Sequence, residues 1–188
     1  MSKVKNNIIT QGLSGMLGGQ LVFRQTSRGT EVSVAPQAPK GPASAAQTAQ
    51  RVRFQQAIVY ARGRAQDPAV QAEYADDARE RNQSISNVLV ADYLHAPDIE
   101  RVDIGAYLGR MGDLIRVTAT DDHAVQAVRV RIENGDGSLV EEGDAAQQPD
   151  PNQWHYTATA ANAALAGDKI IVTATDVPGH AASQSTTL

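Results

Sequence analysis

The sequence predicts an α+β fold in three consecutive parts. Residues 1–43 hold a glycine-rich arm, a β-hairpin and a proline-rich linker, residues 44–97 hold a helical hairpin, and residues 98–188 hold a β-sandwich. Two observations predict this order. Apolar residues recur at helical spacing in the middle part, and from residue 99 onward they alternate with period two.

The first part contains a hairpin preceded by a glycine-rich segment. Leu21–Gln25 and Glu31–Val34 read as strands, and Gly29 between them suits the positive φ of a hairpin turn. A two-stranded hairpin is marginally stable alone in water, so it must pack on its own helices or on a neighbouring molecule. Residues 6–20 place apolar side chains among four glycines, and such a segment is costly to order unless it lies against another surface.

Three prolines, Pro36, Pro39 and Pro42, predict an extended and stiff linker that holds the hairpin away from the rest of the chain. The helical part then begins at Ser44, which forms a capping box with Gln47. The first helix is predicted to end near residue 66. One of its faces consists of apolar residues at helical spacing: Phe54, Ile58, Ala61 and Ala65.

The start of the second helix is predicted from Asp67 and Pro68, because Asp is a good N-cap and Pro fits the first helical position. We predict one helix over 69–94, bent at residues 82–84. Its short connection to the first helix favours an antiparallel helical hairpin. The residues expected on its apolar face are Val70, Tyr74, Ala78, Ile85 and Leu89.

Seven short strands are predicted in the last part, and this number within about 90 residues is typical of a β-sandwich. Their expected positions are 102–108, 113–119, 125–132, 138–142, 153–159, 168–175 and 181–187. The expected inward residues are Leu114, Val117, Ala119, Val128, Val130 and Ile132, with Trp154, Tyr156 and Ile171 adding bulk.

Four stretches of this part carry a resemblance to a known family: residues 115–122, 125–132, 154–159 and 171–180. The repeated Thr-Ala-Thr-Asp strand ends and the turn at residues 176–180 resemble bacterial immunoglobulin-like (Big-type) repeats, with His180 where those repeats have Asn. The resemblance implies an immunoglobulin-like sandwich over about residues 100–188. It implies little about function, because such modules act as spacers, adhesins and polymer subunits alike.

The N-terminal part is similar to the N-termini of a family of uncharacterised bacterial proteins. The shared residues include the segments Gly12-Leu-Ser-Gly and Val22-Phe-Arg, together with Gln50-Arg51 and Phe54. This resemblance spans about 45 residues and implies no activity.

Composition excludes several classes of chemistry. The 188-residue chain has no cysteine, which removes disulfides, thiolate nucleophiles and cysteine-based metal sites. Neither an apolar signal-peptide stretch nor a run of about 18 apolar residues occurs, so we expect no membrane span. The localisation is open: cytoplasmic by default, or outside the cell as part of a released filament or particle.

The charge is distributed unevenly along the chain. Residues 1–66 carry nine Lys and Arg but one acid, whereas residues 67–188 carry eight Lys and Arg and twenty acids. Opposite charges at the two ends favour head-to-tail attraction between copies, or binding of the basic end to nucleic acid. The four arginines of the first helix wrap around it rather than forming one stripe, so we do not expect nucleic acid as the partner.

No catalytic motif is present, and we predict that the protein is not an enzyme. The chain has no G-x-S-x-G nucleophile elbow, and Gly15–Gly19 lacks the Lys-Ser/Thr of a phosphate-binding loop. Trp154 and Tyr156 share one face of a strand, which suits either a carbohydrate platform or, as we expect, the core of the sandwich.

One metal site is a candidate, at the end of the sandwich where the loops after the second and sixth strands meet. The residues gathered there would be Asp121, Asp122, His123, Asp176 and His180. Oxygen-rich loops suit Ca²⁺, and two imidazoles with a carboxylate suit Zn²⁺ or Ni²⁺, but Asp is also an ordinary turn former. We therefore expect no cofactor, with Ca²⁺ as the alternative.

The sequence thus favours a structural subunit that assembles with copies of itself into a fibre, tube or phage-like particle. The alternative is a ligand-binding or metal-binding adhesion module that acts through the loop end of the sandwich. The side chains expected to drive assembly are the apolar residues of the arm and hairpin: Ile8, Ile9, Leu13, Leu17, Leu21, Phe23, Val32 and Val34.

Overall fold

The structure, a computed structural model, describes residues 2–4, 10, 12–26, 29–37 and 41–188. The chain forms two compact units, Met1–Gln47 and Thr48–Leu188. The second unit contains both the helices and the sandwich, so the boundary expected at residue 97 lies inside it.

The first unit contains a four-stranded antiparallel sheet with the strand order β1-β4-β3-β2. Its strands are β1 (Ser2–Val4), β2 (Gly15–Leu17), β3 (Leu21–Thr26) and β4 (Gly29–Val34). The predicted hairpin is the β3–β4 pair, whose register runs from Leu21 opposite Val34 to Thr26 opposite Gly29.

Part of the glycine-rich segment, where the sequence predicted an arm, joins this sheet. Gly15–Leu17 pairs with β3, and the chain reverses between the two strands at Gly18 and Gly19, which have φ of +59° and +68°. Glycine adopts this left-handed region without a steric cost, so the spacing of glycines makes a second hairpin here.

Helix α1 (Ala45–Arg64) begins with the predicted capping box. The Ser44 amide donates to Oε1 of Gln47 at 3.0 Å, and the Gln47 amide donates to Oγ of Ser44 at 3.2 Å. The predicted apolar face is wrong at Phe54, whose exposed fraction is 46%. Burial in α1 is confined to its second half, at Ala57 and Ala61, because the apolar cluster of the helices begins only there.

The single helix predicted over 69–94 is wrong, because this segment forms three helices: α2 (Pro68–Glu73), α3 (Ala75–Glu80) and α4 (Ile85–Leu94). The first interruption is at Tyr74, which has φ −92° and ψ 3°. The second covers residues 81–84 and contains Asn82, which has a left-handed φ of +51°; Ser84 then caps α4. Among the described residues, no helix is both long and apolar enough to cross a membrane.

The β-sandwich consists of two four-stranded antiparallel sheets. One has the strand order β5-β6-β10-β9 and the other has the order β12-β11-β7-β8. The strands are β5 (Asp98–Ala106), β6 (Leu114–Thr120), β7 (Val125–Glu133), β8 (Leu139–Asp144), β9 (Ala146–Gln147), β10 (Gln153–Thr157), β11 (Lys169–Asp176) and β12 (Ala181–Thr187). All seven predicted strands are present, and β9 is a short addition.

The core of the sandwich is a layer of apolar side chains from both sheets. Trp154 and Tyr156 are buried in it, so the core interpretation of this pair is confirmed. The expected inward position of Ile171 is wrong: Ile170 and Val172 are fully buried, and Ile171 is partly exposed. Because side chains alternate along a strand, the strand Lys169–Asp176 buries only its even-numbered positions.

Two loops of the sandwich approach each other closely at Gly109, and this contact generates a prediction. A Cβ atom at Gly109, where φ is +80°, would lie 2.2 Å from the backbone oxygen of Asn162, whereas a Cβ at Gly112, where φ is +90°, would meet open space. Gly112→Ala should therefore lower the free energy of unfolding by about 1–2 kcal/mol, the cost of a left-handed alanine. Gly109→Ala should cost clearly more, because the backbone must also move. Urea denaturation of both variants checks this, and equal losses would contradict the close approach.

Candidate functional site

One face of the N-terminal sheet is apolar. Leu17 lies opposite Leu21, which lies opposite Val34, and in the next row Phe23 lies opposite Val32. Because side chains directly opposite each other point to the same side of a sheet, as do residues i and i+2 of one strand, all five share one face. We call this set, Leu17, Leu21, Phe23, Val32 and Val34, the apolar face.

Side chains of the apolar face remain accessible to solvent. The exposed fractions of Leu17 and Val34 are 61% and 73%, and Phe23 and Val32 are partly buried. Among the described residues of the first unit, no apolar side chain is buried, and Thr30 is the one polar residue that is. The described residues of this unit therefore form a single-layer sheet without an apolar core among them.

A hydrogen-bonded corner closes one end of this face. The Gln25 amide group donates to the carbonyl oxygen of Leu13 at 2.6 Å and to Oγ1 of Thr30 at 3.0 Å. The carbonyl group of Leu13 therefore contacts the side chain of Gln25, which lies two residues after Phe23 on the same side of β3. Of the predicted assembly residues, the structure thus places five on the apolar face and bonds the backbone of Leu13 to Gln25 beside it, whereas Ile8 and Ile9 lie outside the described residues.

The sheet also has two edge strands, β1 and β2, because these stand at the ends of the strand order. An edge strand presents unpaired backbone N–H and C=O groups, which can pair with a strand of another molecule. The two edge strands and the apolar face therefore belong to the same four-stranded sheet.

A second cluster lies in the other unit, where the loop after β6 contacts the helices. The ring of His123 stacks on Tyr74 with the ring centroids 3.7 Å apart, and its Nδ1 lies 2.5 Å from Oδ2 of Asp77. Next to it, His95 and Arg81 contact the carboxylate and the carbonyl oxygen of Asp122, respectively. These contacts attach the loop end of the sandwich to all three short helices.

A fully buried carboxyl group, Asp92, lies at the centre of this cluster. Its Oδ2 accepts a hydrogen bond from the Tyr74 hydroxyl at 2.7 Å, and Asp121 lies within hydrogen-bonding reach. Burial raises the pKa of Asp92 to about 7; the Tyr74 hydroxyl opposes this rise, and the Asp121 carboxyl adds to it. Oδ1 of Asp92 and Oδ1 of Asp121 are buried and have no hydrogen-bond partner among the described residues, although a buried polar atom normally has one.

The residues predicted to hold a metal do lie at this end of the sandwich, but their side chains have protein partners. The Asp176 carboxylate accepts from the amides of Gly179 and His180 at 2.7 and 2.6 Å and lies 3.1 Å from the His180 ring. Asp121 and His123 meet the helices instead. In the part of the chain that the structure describes, no three such side chains are placed to hold a metal ion.

Sequence reasoning missed Tyr74 and Asp92 as partners of this loop. One signal was present: Asp92 interrupts the most apolar helical stretch, Val88–Leu94, at a position four residues after buried Val88. An acid on an apolar helical face requires a polar partner in the interior.

Comparisons with known proteins identify no family. No family description and no curated protein matches the chain. Among solved structures, it is similar to the crystal structure of CopC from Methylosinus trichosporium OB3b, with 19% sequence identity and a TM-score of 0.37. The match covers 48% of this chain and 88% of that chain, and this level of similarity transfers no function.

The raised pKa of Asp92 predicts a specific dependence of stability on pH. Between about pH 4 and about pH 7 the folded chain holds a proton that the unfolded chain has released, so the free energy of unfolding falls as pH rises, by up to about 1.4 kcal/mol per pH unit. Asp92→Asn keeps a neutral group that can donate to Asp121, so this component of the slope should disappear. Urea denaturation at several pH values measures it.

The matched control for this experiment is Asp76→Asn, which removes an exposed carboxylate paired with Arg79. We expect that variant to keep the slope of the wild type. An unchanged slope in Asp92→Asn would show that Asp92 does not hold the proton.

Proposed function

We propose that this chain is a non-enzymatic structural subunit that assembles with copies of itself through its N-terminal sheet, forming a fibre, a tube or a phage-like particle. The observation that carries the proposal is the apolar face: five apolar side chains on one side of a sheet in which no described apolar residue is buried. Such a surface is stable in water when another surface covers it.

The magnitudes favour assembly over a freely exposed sheet. Full burial of a fully exposed Val, Leu or Phe side chain contributes roughly 1.5–3 kcal/mol. Leu17 and Val34 are 61% and 73% exposed and the other three are less exposed, so covering the five contributes about half of the full sum, roughly 4–8 kcal/mol. This offsets an association cost at the lower end of the range of about 4–15 kcal/mol. Pairing of a β1 or β2 edge with a strand of the neighbour would add backbone hydrogen bonds. A contact between an edge or face and a different surface of the next copy produces a ring or an open fibre.

The sandwich suits a spacer role in such an assembly, and we propose that it is immunoglobulin-like. Supporting this, β5, β6 and β10 share one sheet with the short β9, and β7, β8, β11 and β12 form the other. The turn singled out by its resemblance, residues 176–180, leads into β12 and is closed by the Asp176 carboxylate.

Two neighbouring residues of β2 provide a matched test of the face. Leu17 and Met16 have similar exposed fractions, 61% and 63%, but point to opposite sides of the sheet. Leu17→Asp should therefore prevent the formation of large assemblies, because it places a charge in the apolar face, whereas Met16→Asp should leave them nearly unchanged. Light scattering after size-exclusion chromatography and negative-stain imaging measure the outcome. Equal behaviour of the two variants would refute the role of this face.

Removal of residues 1–35 tests the same proposal by a different route. The truncated chain keeps both apolar clusters of the second unit, so it should remain folded, with the emission of a buried Trp154. It should be a monomer, whereas the intact chain forms large oligomers that high salt weakens only partly, since apolar burial is not screened. Unfolding of the truncated chain, or an intact chain that stays monomeric at high concentration, would contradict assembly through the N-terminal sheet.

A further inference from the structure

One side of helix α1 has a surface that no described part of the chain covers. Every residue from 44 to 56 is exposed, and this range covers more than half of the 20-residue helix. Exposed apolar side chains occur along it, at Val52, Phe54 and Val59, and the exposed fraction of Val59 is 71%.

This surface includes a groove of about 470 Å³. Val52 and Val59 of α1 lie along it at a spacing of two helical turns, and Tyr93 of α4 contributes its other wall. The groove therefore belongs to the second unit and is formed by side chains of two helices.

The charge of α1 is entirely positive. The helix contains Arg51, Arg53, Arg62 and Arg64 and no acidic residue. None of the four forms an ion pair with any residue that the structure describes. Arg53 instead donates to the Leu94 carbonyl, and Arg64 lies over the ring of Tyr60, so Arg51 and Arg62 present their charge to solvent.

The segment after α1, residues 67–80, carries a net negative charge equal in size to the positive charge of α1. Residues 67–80 contain five acids and one base, Arg79. Glu73, Asp76 and Glu80 are exposed, and Arg79 pairs with Asp76. One chain therefore carries a basic helix with an apolar groove and, in the same unit, an acidic surface on α2 and α3.

We propose that the basic, grooved surface of α1 binds the acidic α2–α3 surface of a second copy of this chain. Complementary charge orients the contact, and burial of Val52 and Val59 stabilises it. The two surfaces differ, so the contact is head-to-tail and repeats from copy to copy. It goes beyond assembly through the N-terminal sheet and does not require it.

A charge-exchange experiment on the full chain tests this contact. The first variant, Arg51→Glu with Arg62→Glu, carries two acidic surfaces, and the second, Asp76→Lys with Glu80→Lys, carries two basic ones. Each alone should associate at least about tenfold more weakly than the wild type at low salt, because like charges then meet. An equimolar mixture should recover association, because each surface again finds its opposite. Sedimentation velocity at about 20 mM and about 500 mM salt measures the affinities, and high salt should reduce them.

The groove is tested with Val59→Asp against Met111→Asp, a loop residue of the sandwich with a similar exposed fraction of 68%. We expect the first to weaken association about tenfold and the second to leave it unchanged. The inference is overturned when the equimolar mixture of the two charge variants stays dissociated. It is also overturned when the arginine variant no longer binds an oligonucleotide but self-associates to the same mass as the wild type. All these variants are also measured in chains that carry Leu17→Asp, which removes the N-terminal contact. If Leu17→Asp alone has the same assembly mass as the wild type, the N-terminal sheet does not drive assembly. That result is independent of the outcome for the contact through α1.

Discussion

The apolar layer between the two sheets of the sandwich determines where the loops of the second unit lie, and the helices depend on those loops. Ile115 and Val117 of β6 meet Val130 of β7 and Val172 of β11 in this layer, and all four are fully buried. A layer packed this closely permits one register of the strands, because a shift by a single residue would turn every buried side chain to solvent. The loop after β6 is therefore presented to the helices in a fixed position.

The helices are attached to that loop by polar contacts around a small apolar cluster. Tyr74, Val88 and Leu89 form the centre of the cluster and are fully buried, and Tyr74 also contacts His123 and Asp92. Hydrogen bonds of this kind specify geometry more strictly than apolar contacts do, but a buried carboxyl destabilises the fold when it is ionised. Because Asp92 is such a carboxyl, the free energy of unfolding depends on pH.

The first unit shows what happens when such a layer is missing. Its strands pair correctly, with Leu21 opposite Val34 and glycine turns at the reversals, yet no second layer of described residues covers the apolar face. The same holds for one side of α1, where Val52 and Val59 remain exposed, as do Arg51 and Arg62. Regular secondary structure with uncovered apolar surface, in two separate places, is the common basis of both proposed contacts between copies.

The sequence alone determined the features that depend on near neighbours in the chain. The capping box at Ser44, the cap at Asp67 and the seven main strands follow from turn chemistry and from periodicity, and the structure has all of them. Tertiary structure decided the rest. The helix is interrupted at Tyr74, whose ring packs on a loop about fifty residues further along the chain, and no local pattern encodes a partner at that distance.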